Sequence, residues 1–351
     1  MKKNYEFLKI IIILLVSSLL ALSACGKKDV DLSEIPQESG TTFVMNTLVQ
    51  MKVYGDNADD VIDRSFNKLN EIEKNMSKTI EESDIYSINQ NAGDFVSIEQ
   101  DTFEVIEKAL YYARLTEGRF DPSIGSLVEL WGIGTNKARV PVEGEIAEAQ
   151  SLVNYNWVEL NPDQKSVRLK KEGMRLDLGA IAKGYAADEV RNILREEGID
   201  SAYINMGGNV LVVGGKPDNN PWRIGIQDPR HNRGNTMAIV EVKDKTVVTS
   251  GNYERYFEKN GVIYHHIVDP TTGYPARSGL LSVSIVSDDS FDADALSTSL
   301  FILGPEKGLE LVNKLEGVEA LFIKKDHGII ITDGIKDKVE ITDDDFYISG
   351  K

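Results

Sequence analysis

Between residues 41 and 332 the sequence interleaves stretches of helical period with short runs rich in Val, Ile and Tyr, and no long linker, low-complexity tract or repeat interrupts them. That interleaving constrains the chain to one large mixed domain, in one or two lobes. Residues 57–76 place Val61, Ser65, Leu69, Ile72 and Met76 on one helical face, and residues 101–117 do the same with Phe103, Ile106, Leu110 and Ala113. Asp101 with Glu104 reads as a capping box, and Gly118 as a C-cap. Strands are expected at 42–54, 201–206, 222–227, 237–242, 246–249, 262–268, 281–286, 320–323 and 329–332. Many are spaced as hairpins, which favours an α+β fold with a mainly antiparallel sheet and packed helices.

Composition bounds the function. Of 351 residues, 41% are hydrophobic and 27% charged, which excludes a disordered, collagen-like or multi-spanning membrane chain. Lys and Arg number 39 against 56 Asp and Glu, a net charge of −17 that repels phosphate backbones and argues against nucleic-acid binding. One cysteine allows no internal disulfide and no cysteine-rich metal site, so a bound metal relies on oxygen or histidine. That cysteine closes an N-terminal export signal: Lys2, Lys3 and Lys9, an apolar run from Ile10 to Leu22, then Ser23, Ala24 and Cys25. The run is short for a spanning helix and Ser17 and Ser18 interrupt it, so cleavage is expected over retention as a signal anchor. Leu22-Ser23-Ala24-Cys25 resembles a bacterial lipobox, which implies cleavage before Cys25 and acylation of that residue. Residues 1–24 then form the signal peptide, 25–40 a lipidated flexible tether, and 41–345 the folded body, anchored on the outer face of the cell membrane.

Five clusters combine glycine, acid and hydroxyl residues. Asp177-Leu178-Gly179-Ala180-Ile181-Ala182-Lys183-Gly184 opens a helix whose small residues admit close approach, and Lys183 beside the first-turn amides suits a phosphate; tight helix–sheet packing accounts for the same residues. Asn205-Met206-Gly207-Gly208-Asn209 follows a strand, as a hairpin turn also would. No Gly-x-Gly-x-x-Gly or Walker A pattern occurs. Thr249-Ser250-Gly251 ends a strand shortly before Arg255, which can pair with an anion. His265 and His266 precede the turn at Asp269-Pro270-Thr271-Thr272-Gly273, and only one of two adjacent strand residues can face a given site. Finally, Asp294 and Thr298 stand at i and i+4 on a helix that ends before Gly304-Pro305, so they can meet one hard cation such as Mg²⁺; helix capping and a backbone-bonded threonine are the plain alternative.

Taken in order, these clusters resemble the ApbE family of FAD:protein FMN transferases, supported by Gly118-Arg119-Phe120-Asp121-Pro122 and Met45-Asn46-Thr47 and covering residues 41–332. The resemblance implies an enzyme that uses FAD and Mg²⁺, transfers FMN to a Ser or Thr hydroxyl of a target protein and releases AMP. It places the metal on the Ala180 carbonyl, Asp294 and Thr298. It places the flavin nucleotide near Met45, Phe120, Asp121, Lys183, Gly207, Gly208, Thr249, Ser250 and Gly251. His266 falls near the reacting phosphate, with Asp269 as its orienting partner. The family often has glycine where this chain has Asn46, which bears on how closely that segment approaches the flavin. If the chain is exported, its acceptor protein lies outside the membrane too. Hydrolysis of FAD to FMN and AMP, and a flavin-binding lipoprotein without catalysis, are the alternative readings.

Overall fold

The computed structural model of the chain describes residues 35–231 and 234–349. The predicted signal segment and Cys25 lie outside the described residues. Nine strands form the main sheet: β1 (Gln37–Val44), β2 (Thr47–Tyr54), β3 (Ser201–Met206), β4 (Asn209–Val213), β5 (Thr246–Gly251), β6 (Leu280–Ser287), β7 (Glu319–Lys324), β8 (Gly328–Ile331) and β9 (Tyr347–Ile348). They lie across the sheet in chain order, every neighbour antiparallel except the β8–β9 pair. The other described elements are insertions between strands adjacent in the sheet. Among the described residues the long helices are α1 (Ala58–Met76), α2 (Gln100–Leu115), α3 (Ala182–Glu196) and α4 (Ser290–Val312).

Alternation along the strands separates two cores. On one face Val49, Met51, Ile204, Leu211, Val248, Val283 and Ile285 pack against Leu69 of α1, Val190 of α3 and Leu300 of α4. On the other, Val210, Val212, Val247, Val286, Leu321 and Ile323 meet Ile224, Met237 and Val240 of a three-stranded sheet built from Trp222–Gln227, Thr236–Val242 and Val339–Ile341. Each such side chain, once fully buried, contributes roughly 1.5–3 kcal/mol of transfer free energy.

Three expectations need correction. Residues 42–54 are not one strand but a hairpin whose Met45–Asn46 turn has φ of 52° and 55°, the doubly positive geometry that matches strand twist. Residues 37–40, read above as tether, belong to β1 and pair with 51–54; as a largely exposed edge they carry no apolar alternation to announce them. The Asp101–Glu104 capping box does not form. Helix α2 starts behind Glu99, Asp101 pairs instead with Lys68 at 2.7 Å, and Glu104 accepts from Gln100 Nε2 at 2.6 Å.

Other boundaries agree with the sequence. Gly118, at φ 79°, closes α2 by donating its N–H to the Ala113 carbonyl at 2.8 Å. Within α4, Gly304 leaves helical geometry at φ 81° and Pro305 restarts the helix.

The meander explains where a site can form. Because β1 and β2 turn at 45–46, β3 and β4 turn at 207–208, and β5 ends at 251 before β6 begins at 280, all three connections emerge at one end of the sheet. Helix α3 precedes β3 and therefore starts at that same end, while α4 follows β6 and runs toward it. The five sequence clusters converge there.

Candidate active site

Asp294 is the most buried acid of the cluster, 2% exposed. Its Oδ2 accepts the Gly184 N–H at 2.9 Å, and its Oδ1 lies 3.4 Å from the Lys183 ammonium, which also donates to the Gly179 carbonyl at 3.1 Å. Glycine at 184 is required by space. A Cβ there would lie 2.2 Å from the Ser290 carbonyl oxygen and 2.7 Å from Asp294 Cβ, so α3 and α4 touch only because that atom is missing. The Gly184 N–H points at Asp294 rather than back along the chain, which leaves the Ala180 carbonyl at the helix entrance as an acceptor.

One turn after Asp294, Thr298 Oγ1 lies 3.2 Å from Ser250 Oγ, which in turn lies 2.8 Å from Ser297 Oγ. The i, i+4 spacing thus puts carboxylate and hydroxyl on the face toward β5 and α3. Among the described residues no three His, Cys, Asp or Glu side chains gather as a metal-binding group. The available donors are one carboxylate, one hydroxyl and one carbonyl, all oxygen, a set that fits a hard cation completed by water or phosphate.

Asp177 opens the same helix entrance. Its Oδ1 accepts from the Gly179 N–H at 2.8 Å and Oδ2 pairs with Lys78. Burial pushes this carboxyl up, but Lys78, the Gly179 amide and Lys183 outweigh it and hold it below the usual carboxylate range. Lys78 belongs to no sequence cluster; it comes from a loop after α1, and only the fold brings it here.

The sheet-end turns close around this core. Gly207, at φ 63°, allows the β3–β4 turn to press on the start of β2, where a Cβ would sit 1.9 Å from Thr47 Oγ1. Gly208, at φ 107°, has nothing within 4 Å of its Cβ position and faces open space. Met45 donates its N–H to Glu73 Oε1 at 2.7 Å, and the neighbouring Asn46 carbonyl accepts from Arg255 Nη2 at 3.0 Å, tying the hairpin tip to the site. Gly251 ends β5 against the Tyr253 ring, 2.6 Å from where a Cβ would be.

Several expected contacts fall elsewhere. Thr249 shares a sheet face with Val247, and its hydroxyl bonds Ser284 at 2.7 Å, so it points away from the Asp294 side that Ser250 faces. Phe120 is 4% exposed and sits edge-on to Tyr112. Asp121 braces two loops: Oδ1 accepts from the Ser123 N–H and hydroxyl at 2.8 and 2.7 Å, and Oδ2 from the Tyr155 N–H at 3.0 Å. Burial pushes its carboxyl up while these three donors pull it down, and burial prevails. Both side chains are occupied by the fold itself.

The strand expected over 262–268 ends at His265, so His266 lies in the bend beyond it and the two histidines diverge there. His265 is buried, its Nε2 2.9 Å from the Ala276 carbonyl. Half-buried His266 has Nδ1 3.3 Å from the Arg255 carbonyl. Asp269 does not orient it: that carboxylate pairs with Arg119 at 3.2 Å and accepts from the Thr271 N–H and hydroxyl at 2.9 and 2.7 Å, as the turn demands. Burial, then Arg255 and His265, with a smaller push from Lys183, lower the His266 pKa to about 3. The ring is therefore neutral at pH 7 and only weakly basic.

His265 is lowered to about 4, also chiefly by burial, so both rings stay neutral in the folded state well below the 6.5 at which they titrate when unfolded. Their stabilising contribution is complete above pH 6.5 and is lost as pH falls toward 4 and 3. Asp188, raised to about 6 by burial, opposes them over part of that range. For activity, kcat/KM should show no inflection near pH 6.5. An inflection there that disappears in His266→Gln would contradict the neutral ring.

Residues 45–322 match the ApbE family model. A Treponema pallidum (strain Nichols) protein named FAD:protein FMN transferase is 36% identical over 352 aligned residues, spanning 95% of this chain and 96% of its own. A Vibrio cholerae protein of the same name is 30% identical, spanning 89% and 93%. Among solved structures, the ApbE protein of Thermotoga maritima aligns with a TM-score of 0.80 at 35% identity, covering 85% of this chain and 98% of its own. The flavin transferase ApbE from Vibrio cholerae aligns with a TM-score of 0.74 at 26% identity, covering 83% and 94%. With a family model spanning most of its length and relatives aligned nearly end to end, this chain belongs to the ApbE family.

Proposed function

We propose that the chain is an FAD:protein FMN transferase that moves FMN from FAD to a Ser or Thr hydroxyl of an acceptor protein. The acceptor oxygen forms a bond to the FMN-side phosphorus, the pyrophosphate bridge P–O bond breaks, AMP leaves, and the hydroxyl proton passes to a base. The observation that carries this reading is the nearly inaccessible Asp294 carboxylate beside Thr298 and Lys183 at the entrance of α3. The relatives' shared name supports the same reaction class.

Each residue has a task that its surroundings suit. The Lys183 ammonium offsets the pyrophosphate charge, which an acidic chain would otherwise repel. Neutral His266 is the ring placed to take the acceptor proton, although its lowered pKa makes it a weaker base than an imidazole titrating near the working pH. Gly207, Gly208 and the Met45–Asn46 turn shape the mouth, and Ser250 holds Thr298 in place. Mg²⁺, held by Asp294, Thr298 and the Ala180 carbonyl, would supply further neutralisation of phosphate charge.

Location belongs to the same reading: acylated Cys25 anchors the protein outside the membrane, where its acceptor also lies. Palmitate label should enter the wild type and be absent from Cys25→Ala. For the reaction, acceptor labelling followed by in-gel flavin fluorescence should stop with EDTA and return with excess Mg²⁺. AMP and free FMN without labelled acceptor would mean that water is the acceptor. Undiminished labelling in EDTA would remove the metal from the account.

A further inference from the structure

Asn209 has no part in the scheme above, yet it stands at the end of the sheet where the sequence clusters converge. It is the first residue of β4, immediately after the Gly207-Gly208 turn, and is 2% exposed. Its Nδ2 is buried and has no hydrogen-bond partner among the described residues. Such a group lowers stability for as long as it stays unpaired, and leucine, which has the same branched shape without the polar atoms, would relieve that cost.

The register fixes where this amide points. Asn209 pairs with Met206 on β3 and with Val248 on β5. Met206, Val248 and the alternate residues of its own strand, Leu211 and Val213, all belong to the helix-side core. Alternation therefore puts the Asn209 side chain on that face, at the end of the sheet where the site opens. Ser250, two residues beyond Val248, is its diagonal neighbour on the same face and bonds Ser297 and Thr298. Next to it in sequence, the Gly208 Cβ position opens onto unfilled space.

We infer that Asn209 is a substrate-binding residue whose Nδ2–H donates to a pyrophosphate oxygen of FAD. The inference rests on the flavin-transfer reading and adds to it a neutral donor facing the site from the sheet, opposite the charged groups on α3 and α4. A neutral amide in that position can hold the anion without competing with Lys183 for Asp294.

The test uses Asn209→Leu and Asn209→Ala in the full chain, read by FAD titration, by melting temperature with and without FAD, and by KM and kcat for FAD. Leucine should melt at or above the wild-type temperature without FAD, because the orphaned donor is gone. Its FAD affinity should fall at least tenfold, with KM raised by a similar factor and the FAD-induced rise in melting temperature reduced. If leucine does not fold, alanine must show the same loss of affinity. Wild-type FAD affinity in a folded variant sinks this inference alone. A wild type that binds no FAD sinks the flavin-transfer reading as well.

Discussion

Asp294→Asn should lower FMN transfer by about a thousandfold, some 4 kcal/mol of transition-state stabilisation, while the protein stays folded. Asparagine keeps the shape and can still accept the Gly184 N–H that now bonds Asp294 Oδ2. What it removes is the charge facing Lys183 and any cation held beside Thr298. Circular dichroism and melting should therefore change little while single-turnover AMP release collapses. Near-normal turnover in this variant would show that the carboxylate only fastens α4 to α3.

Gly184→Ala should have the second-largest effect, and for a different reason. The added methyl would meet backbone at 2.2 Å, where no flexible side-chain end can yield, so α3 and α4 must separate. Overpacking of this kind costs about 1–3 kcal/mol, and a shift of about 1 Å between Asp294 and the helix entrance can cost a hundredfold in rate. Gly144→Ala is the matched control. Gly144 sits in the helix Glu143–Gln150 with nothing within 4 Å of its Cβ position, so alanine there should stabilise by roughly 0.5–1 kcal/mol. Urea titration of the two variants should give shifts of opposite sign. Equal, small shifts would mean that α3 and α4 are not in backbone contact at Gly184.

The sequence was readable where one periodicity was uninterrupted. Val61, Ser65, Leu69, Ile72 and Met76 are buried along α1 as their spacing requires, and the double glycine at 207–208 is the hairpin turn its composition suggested. The Met45–Asn46 turn was hidden because apolar alternation continues through it and no glycine marks its positive φ. Short pieces such as Val96–Ser97 and Val158–Asn161 are too brief to carry a pattern and exist only because they pair with Ser166–Leu169.

At the site, spacing within one element was legible and partnership between elements was not. The i, i+4 pair Asp294 and Thr298 does share a face, whereas His265 and His266 part because the strand ends between them. The contact between Lys78 and Asp177, the recruitment of Asp269 by Arg119 and the inward brace of Asp121 all join residues distant in sequence or depend on burial. No local pattern encodes those choices.

The central claim is that one site breaks FAD and hands its FMN half to a protein hydroxyl. Intact-mass and peptide mass spectrometry of an exported Ser/Thr acceptor, after incubation with the chain, FAD and Mg²⁺, tests it most directly. The account predicts a mass gain of one FMN less one water on a single Ser or Thr, with one AMP released per modified acceptor and neither product from Asp294→Asn. Stoichiometric AMP and free FMN with every acceptor unmodified would contradict it.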